Sequence, residues 1–98
     1  MISLKLLRAF WERYPDAKRT LRLWYKTAIH AQWRNLQDVH SDYPHADGVA
    51  GQRGETLTVF NICGNNYRLV ARIRYDYRLV NVRGVFTHEE YSQGKWRK

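Results

Sequence analysis

Ninety-eight residues, 44% hydrophobic and including four tryptophans, suffice for one folded domain with a modest core and exclude a second. Cys63 is the only cysteine, which excludes an intrachain disulfide and a cysteine-rich zinc centre. The net charge of +8 favours polyanionic partners: nucleic acid, the ribosome or an acidic protein.

No apolar run approaches the ~20 residues needed to cross a bilayer, and no secretory signal pattern opens the chain. A cytoplasmic protein with no membrane partner is expected, with residues 1–98 forming a single domain. The charge is uneven: residues 1–34 and 59–98 are basic, whereas residues 35–58 carry four acids against Arg53.

In chain order, Ser3 can cap a first helix in which Leu4, Leu7, Trp11 and Tyr14 share one stripe. Pro15 should end or redirect that helix, and it also suits the first turn of a second helix running to about residue 33. Leu21, Trp24, Tyr25 and Ala28 form the apolar stripe of this second helix. Lys18, Arg22 and Lys26, spaced by four, line up on its exposed side. A short third helix can begin at Asn35 and is stopped by Pro44. Residues 45–54, with three glycines, read as a loop or an irregular edge strand.

From Leu57 the hydrophobic period changes to two, the mark of strands. One strand runs to residue 62 or 63, Gly64-Asn65 makes a hairpin turn, and a second strand covers about residues 67–75. A tight connection at Asp76-Tyr77 leads to a third strand over residues 79–86. The predicted fold is α+β, an N-terminal helical hairpin packed on one face of a small antiparallel sheet.

Alternation assigns Phe60, Ile62, Leu69, Ala71, Ile73, Val80, Val82 and Phe86 to the packed face. Asn61, Arg68, Val70, Arg72, Arg74, Asn81, Arg83 and Val85 fall on the other face, which should be open and basic. Guanidinium groups suit phosphate because their planar fork donates two parallel hydrogen bonds, although a solvated face would look the same in sequence. Thr87 with Glu90 reads as a capping box that starts a short helix and sets His88 at the rim of this face. Histidine exchanges protons readily near neutral pH. His40, His45, Asp42 and Asp47 cluster loosely, but their spacing fits no metal site and reads better as an acidic loop.

Val59-Phe60-Asn61-Ile62, Gly64-Asn65, Tyr67-Arg68-Leu69-Val70 and Thr87-His88-x-x-Tyr91 resemble the signature of HigB-type toxins, within the RelE-like superfamily of bacterial type II toxin–antitoxin systems. Phe10-Trp11-Glu12, Pro15-Asp16-Ala17, Leu21 and Trp24-Tyr25-Lys26 extend the likeness over nearly the whole chain. The chain departs in Cys63 and Asn66 where lysine is common, in Arg72 for a frequent lysine, and in Ser92 after the tyrosine.

The resemblance implies a RelE-like fold and an endoribonuclease that cuts mRNA, commonly on the translating ribosome, without a metal or other cofactor. It also implies neutralisation by a HigA-type helix-turn-helix antitoxin, through which alone the toxin would reach operator DNA. Such cleavage needs a base for the ribose 2′-OH, cations for the phosphorane and an acid for the leaving 5′-oxygen. Arg68, Arg83, His88 and Tyr91 are the candidate catalytic residues, with the division between acid and base left open. Asn61, Arg72, Arg74 and Asn81, with Lys18, Arg22 and Lys26 on the second helix, are the candidate RNA contacts. A non-catalytic RNA- or DNA-binding module is the alternative, since a basic face alone gives salt-sensitive backbone binding. A protein whose basic face docks an acidic partner is a third.

Overall fold

The stripe predicted for the N-terminal segment forms α1, Leu4–Arg13, in the computed structural model, which describes residues 4–97. Ser3, read as the cap, lies outside the described residues. Pro15 ends α1 and opens a 3₁₀ turn, Pro15–Ala17, that leads into α2, Lys18–His30. α2 stops short of residue 33 because Ala31 adopts an extended conformation, with φ −70° and ψ 146°. That step returns Trp33 to the core, where its Nε1–H donates to Asp42 Oδ2 at 2.9 Å. Asn35 caps α3, Leu36–Asp42, by accepting the Asp38 N–H.

Four strands follow: β1 Asp47–Ala50, β2 Thr56–Ile62, β3 Tyr67–Arg74 and β4 Leu79–Thr87. They form one antiparallel meander in the order β1-β2-β3-β4, so the glycine-bearing segment does supply an edge strand. α4, His88–Ser92, and a 3₁₀ turn, Lys95–Arg97, close the chain. The architecture is the α+β fold expected, with α1, α2 and α3 ahead of the sheet and α4 after it.

One face of the sheet packs on the helices. Leu7, Trp11, Leu21, Trp24 and Ala28 from α1 and α2 meet Phe60, Ile62, Leu69, Ala71, Val80 and Val82 in a single buried cluster. Trp24 sets its ring against Phe60, centroids 5.4 Å apart and 69° between planes, a favoured aromatic geometry.

The β2–β3 connection corrects the expected turn. Cys63 and Gly64 take positive φ, 53° and 65°, in place of Gly64 and Asn65. A non-glycine residue in that region costs about 1–2 kcal/mol. Here the conformation is anchored across the chain, because the Cys63 thiol donates to the Asp16 carbonyl at 3.1 Å. Next to it, the Tyr67 hydroxyl donates to Asp16 Oδ1 at 2.7 Å. Both contacts fasten the sheet to the 3₁₀ turn between the helices.

A second correction concerns the faces of β4. The β3–β4 ladder passes from Val70↔Gly84 to Ala71↔Val82, which leaves Arg83 as an extra, bulged residue. One inserted residue reverses the alternation beyond it. Val85 therefore joins the helix-side core, and Phe86 turns to the other face. That outer face is in turn not wholly open: Leu57, Val59 and Val70 are buried there beneath Trp96 from the C-terminal turn, with Phe86 and Tyr91 at the edge.

Candidate functional site

The outer face carries its arginines in two groups, divided by this small apolar cluster. Arg68 belongs to the group at the β2–β3 turn. It lies opposite Asn61 on β2 and Phe86 on β4. Its Nη1 donates to the carbonyls of Asn65 and Tyr67 at 3.0 and 3.1 Å, and its guanidinium stands over the Tyr91 ring, 5.8 Å from the centroid. Tyr91 also stacks on Trp96 at 5.4 Å and 17°. Both bonds use Nη1, so the half-buried side chain is anchored to the turn through one end of its guanidinium fork.

The same turn receives His88, whose backbone N–H donates to the Asn66 carbonyl at 2.9 Å. The capping box is complete: Glu90 N–H donates to Thr87 Oγ1 at 3.1 Å and Thr87 N–H to Glu90 Oε1 at 3.0 Å. Two adjacent carbonyls, of Asn65 and Asn66, thus bind one arginine and one histidine-bearing helix start. The His88 side chain is exposed, and Tyr91 lies one helical turn further on.

Arg83, Arg72, Arg74 and Asn81 make up the other group. Arg72 lies opposite Asn81, and Arg74 places its guanidinium 4.8 Å from the centre of the Tyr77 ring. Bulged Arg83 reaches Glu55, with Nη2 3.4 Å from Oε2. Glu55 was not singled out in the sequence, where it reads as one of four acids in the linking segment. Its signal is its position next to β2, the strand that flanks the arginine-rich ladder. A bond from its own backbone N–H holds the carboxyl below the usual carboxylate range. The Arg53 N–H and the charges of Arg83 and Arg72 add to this, while burial opposes it.

The Gly84 backbone lies beneath the Phe86 ring, where a Cβ would come within 2.7 Å of Phe86 Cζ. Any side chain at this position would displace the Phe86 ring from the outer face. Phe86, assigned from sequence to the packed face, and Trp96, which the sequence did not single out, give the outer face a low-dielectric floor, which strengthens charge interactions around Arg68.

Lys18, Arg22 and Lys26 are exposed as expected but line a groove between α1 and α2, on the helical side of the molecule. The structure does not bring them to the arginine face. The His40 and Asp42 pair has structural tasks: His40 Nε2 pairs with the Ala46 carbonyl at 2.7 Å, and Asp42 accepts from Trp33. Among the described residues, no three His, Cys, Asp or Glu side chains form a metal-holding group, and no helix is long and apolar enough to cross a membrane.

Comparison with known proteins bears on this geometry. The family described as HigB_toxin, RelE-like toxic component of a toxin-antitoxin system, matches residues 17–94. The mRNA interferase toxin HigB of Escherichia coli (strain K12) is 28% identical over 92 residues, which cover 94% of this chain and 86% of that protein. The mRNA interferases HigB of Escherichia coli O157:H7 and of Shigella flexneri match to the same extent.

Proposed function

This chain belongs to the HigB toxins, the RelE-like toxic components of toxin–antitoxin systems, and we propose that it is an endoribonuclease that cuts mRNA on the translating ribosome until a HigA-type antitoxin neutralises it. The observation that carries the reading is the corner at the β2–β3 turn, where the Asn65 and Asn66 carbonyls fasten Arg68 and the start of the His88 helix side by side. The names of its relatives, mRNA interferases at 28% identity, support the same substrate class.

In this reading the outer face takes the RNA backbone along Arg72, Arg74, Asn81 and Asn61, with Arg83 oriented by Glu55. At the corner, the ribose 2′-oxygen gives its proton to a base and bonds to the adjacent phosphorus. The P–O5′ bond then breaks, and the 5′-oxygen takes a proton from an acid. A 2′,3′-cyclic phosphate and a free 5′-hydroxyl result. The Arg68 guanidinium stabilises charge on the phosphorane, so the positive charge comes from side chains and no metal ion is required by the scheme. His88 and Tyr91 share the proton transfers, since they lie on one side of α4 a turn apart.

Single-turnover cleavage of mRNA on purified ribosomes tests the assignment. His88→Gln should lower the cleavage rate far more than ribosome affinity, whereas Arg68→Ala lowers both. Unchanged single-turnover cleavage in His88→Gln would make the histidine a structural residue.

A further inference from the structure

Exposed apolar side chains on the described residues gather away from the Arg68 corner. Among the described residues, the exposed large hydrophobic side chains are Leu23, Ile29, Tyr77 and Leu79. Arg74 covers Tyr77. The other three line two adjoining grooves. The first is a valley of about 1030 Å³ between α1 and α2, containing Leu23 and Ile29, which are 57% and 48% exposed. The second contains Ile29 again, with Ala31 and Leu79. Ile29 belongs to both, so one apolar strip runs from the α1–α2 valley around the end of α2 to the start of β4.

The rim of the valley is strongly charged. Arg8, Lys18, Arg19, Arg22 and Lys26 line it against the single carboxylate of Glu12. A stripe of aliphatic groups flanked by cations fits an amphipathic helix, with leucine-like side chains on one face and carboxylates on either side. A nucleic acid would satisfy the cations but would leave Leu23 and Ile29 against phosphate and sugar, where their burial contributes little. The pattern therefore favours a protein segment over RNA.

We propose that the α1–α2 valley, continued past Ile29 to Leu79, is the docking surface for an acidic amphipathic helix of the antitoxin. This rests on the toxin–antitoxin reading above and deepens it by assigning the surface and the chemistry of its partner. Lys18, Arg22 and Lys26 then contact protein rather than RNA. The bound antitoxin leaves the Arg68 corner on the opposite side uncovered.

The test uses the full-length chain carrying Leu23→Asp and Ile29→Asp, both at exposed positions that the core does not need, with an unchanged thermal melt as the check on folding. The probe is the antitoxin encoded beside this chain, labelled with a fluorophore and titrated at physiological salt. The double variant should bind about a hundredfold more weakly or worse, as loss of two central apolar anchors implies. It should cleave RNA at the wild-type rate and remain toxic when the antitoxin is co-expressed. Binding within about threefold of wild type would overturn the assigned surface while leaving the toxin–antitoxin reading intact. Weakened RNA cleavage with antitoxin affinity preserved would overturn it in favour of an RNA contact. No complex with the wild-type chain would overturn both readings together.

Discussion

Replacing Tyr67 with phenylalanine removes one oxygen from the joint between helices and sheet, and its cost can be worked from its surroundings. The hydroxyl donates to Asp16 Oδ1 at 2.7 Å, and hydrogen bonds to charged groups contribute about 1.5–3 kcal/mol. Asp16 is exposed, so its carboxylate rehydrates when the donor is lost, which sets the cost near the lower end, about 1.5 kcal/mol. For a domain of this size that is a fall in Tm of roughly 6–12 °C. The ring keeps its edge-on contact with Phe10, at 5.2 Å and 80°.

The same bond makes the effect depend on pH. Donation to Asp16, followed by burial, pushes the Tyr67 hydroxyl up to about 12. The folded value lies above the unfolded one near 10, so the bond contributes in full below about pH 10 and is lost as pH rises through about 12. Melts of wild type and Tyr67→Phe, followed by circular dichroism from neutral pH upward, should show a constant gap at first and a narrowing one across that window. The other titrating groups cancel in the difference. A gap under about 2 °C at neutral pH, or one that stays constant into strong alkali, would refute the reasoning.

Arg68→Ala should slow single-turnover RNA cleavage about a hundredfold, the ~3 kcal/mol expected when one donor to a developing phosphorane is removed. Arg83→Ala, which removes a contact to the RNA backbone, should slow it less and act mainly through weaker RNA binding. Wild-type rates in both would sink the arginine assignment. Thr87→Ala should cost about 1 kcal/mol in a denaturant titration. It should also reduce cleavage, because the cap aims His88 and Tyr91, whereas Thr87→Ser retains both properties. The Glu55 carboxyl is held below its ordinary value of 4.5, so the stability it contributes is present above that pH and lost as pH falls through the lower folded value. Acid unfolding of Glu55→Gln should lack this part of the acid limb, and an unchanged limb would remove Glu55 as the partner of Arg83.

The sequence carries the parts of this molecule that depend on local chemistry. The capping box at Thr87 and Glu90, the proline junction between the helices, the start of a third helix near Asn35 and the period-two strands are all legible, because each follows from residues within a few positions of one another. What escapes is set by distant partners. Cys63 takes the left-handed conformation because Asp16, far along the chain, holds its thiol. The bulge at Arg83 exists only relative to β3, and it alone decides that Val85 faces inward and Phe86 outward. Trp96 gives no periodic signal in so short a C-terminal segment, yet it roofs Val70. In the candidate site, Arg68, His88 and Tyr91 could be named from pattern and resemblance. The convergence of Arg68 and the His88 backbone on the Asn65 and Asn66 carbonyls, the Tyr91 ring beneath the Arg68 guanidinium, and the separation of Lys18, Arg22 and Lys26 from that face required the fold.

Inducible expression of the chain alone, with mapping of transcript 5′ ends, tests the central claim most directly. Wild type should arrest growth within a generation and yield new 5′-hydroxyl ends inside coding regions, while Arg68→Ala yields neither at equal protein level. Co-expression of the neighbouring antitoxin should restore growth. Growth arrest without internal cleavage, or cleavage that persists undiminished in Arg68→Ala, would contradict the account.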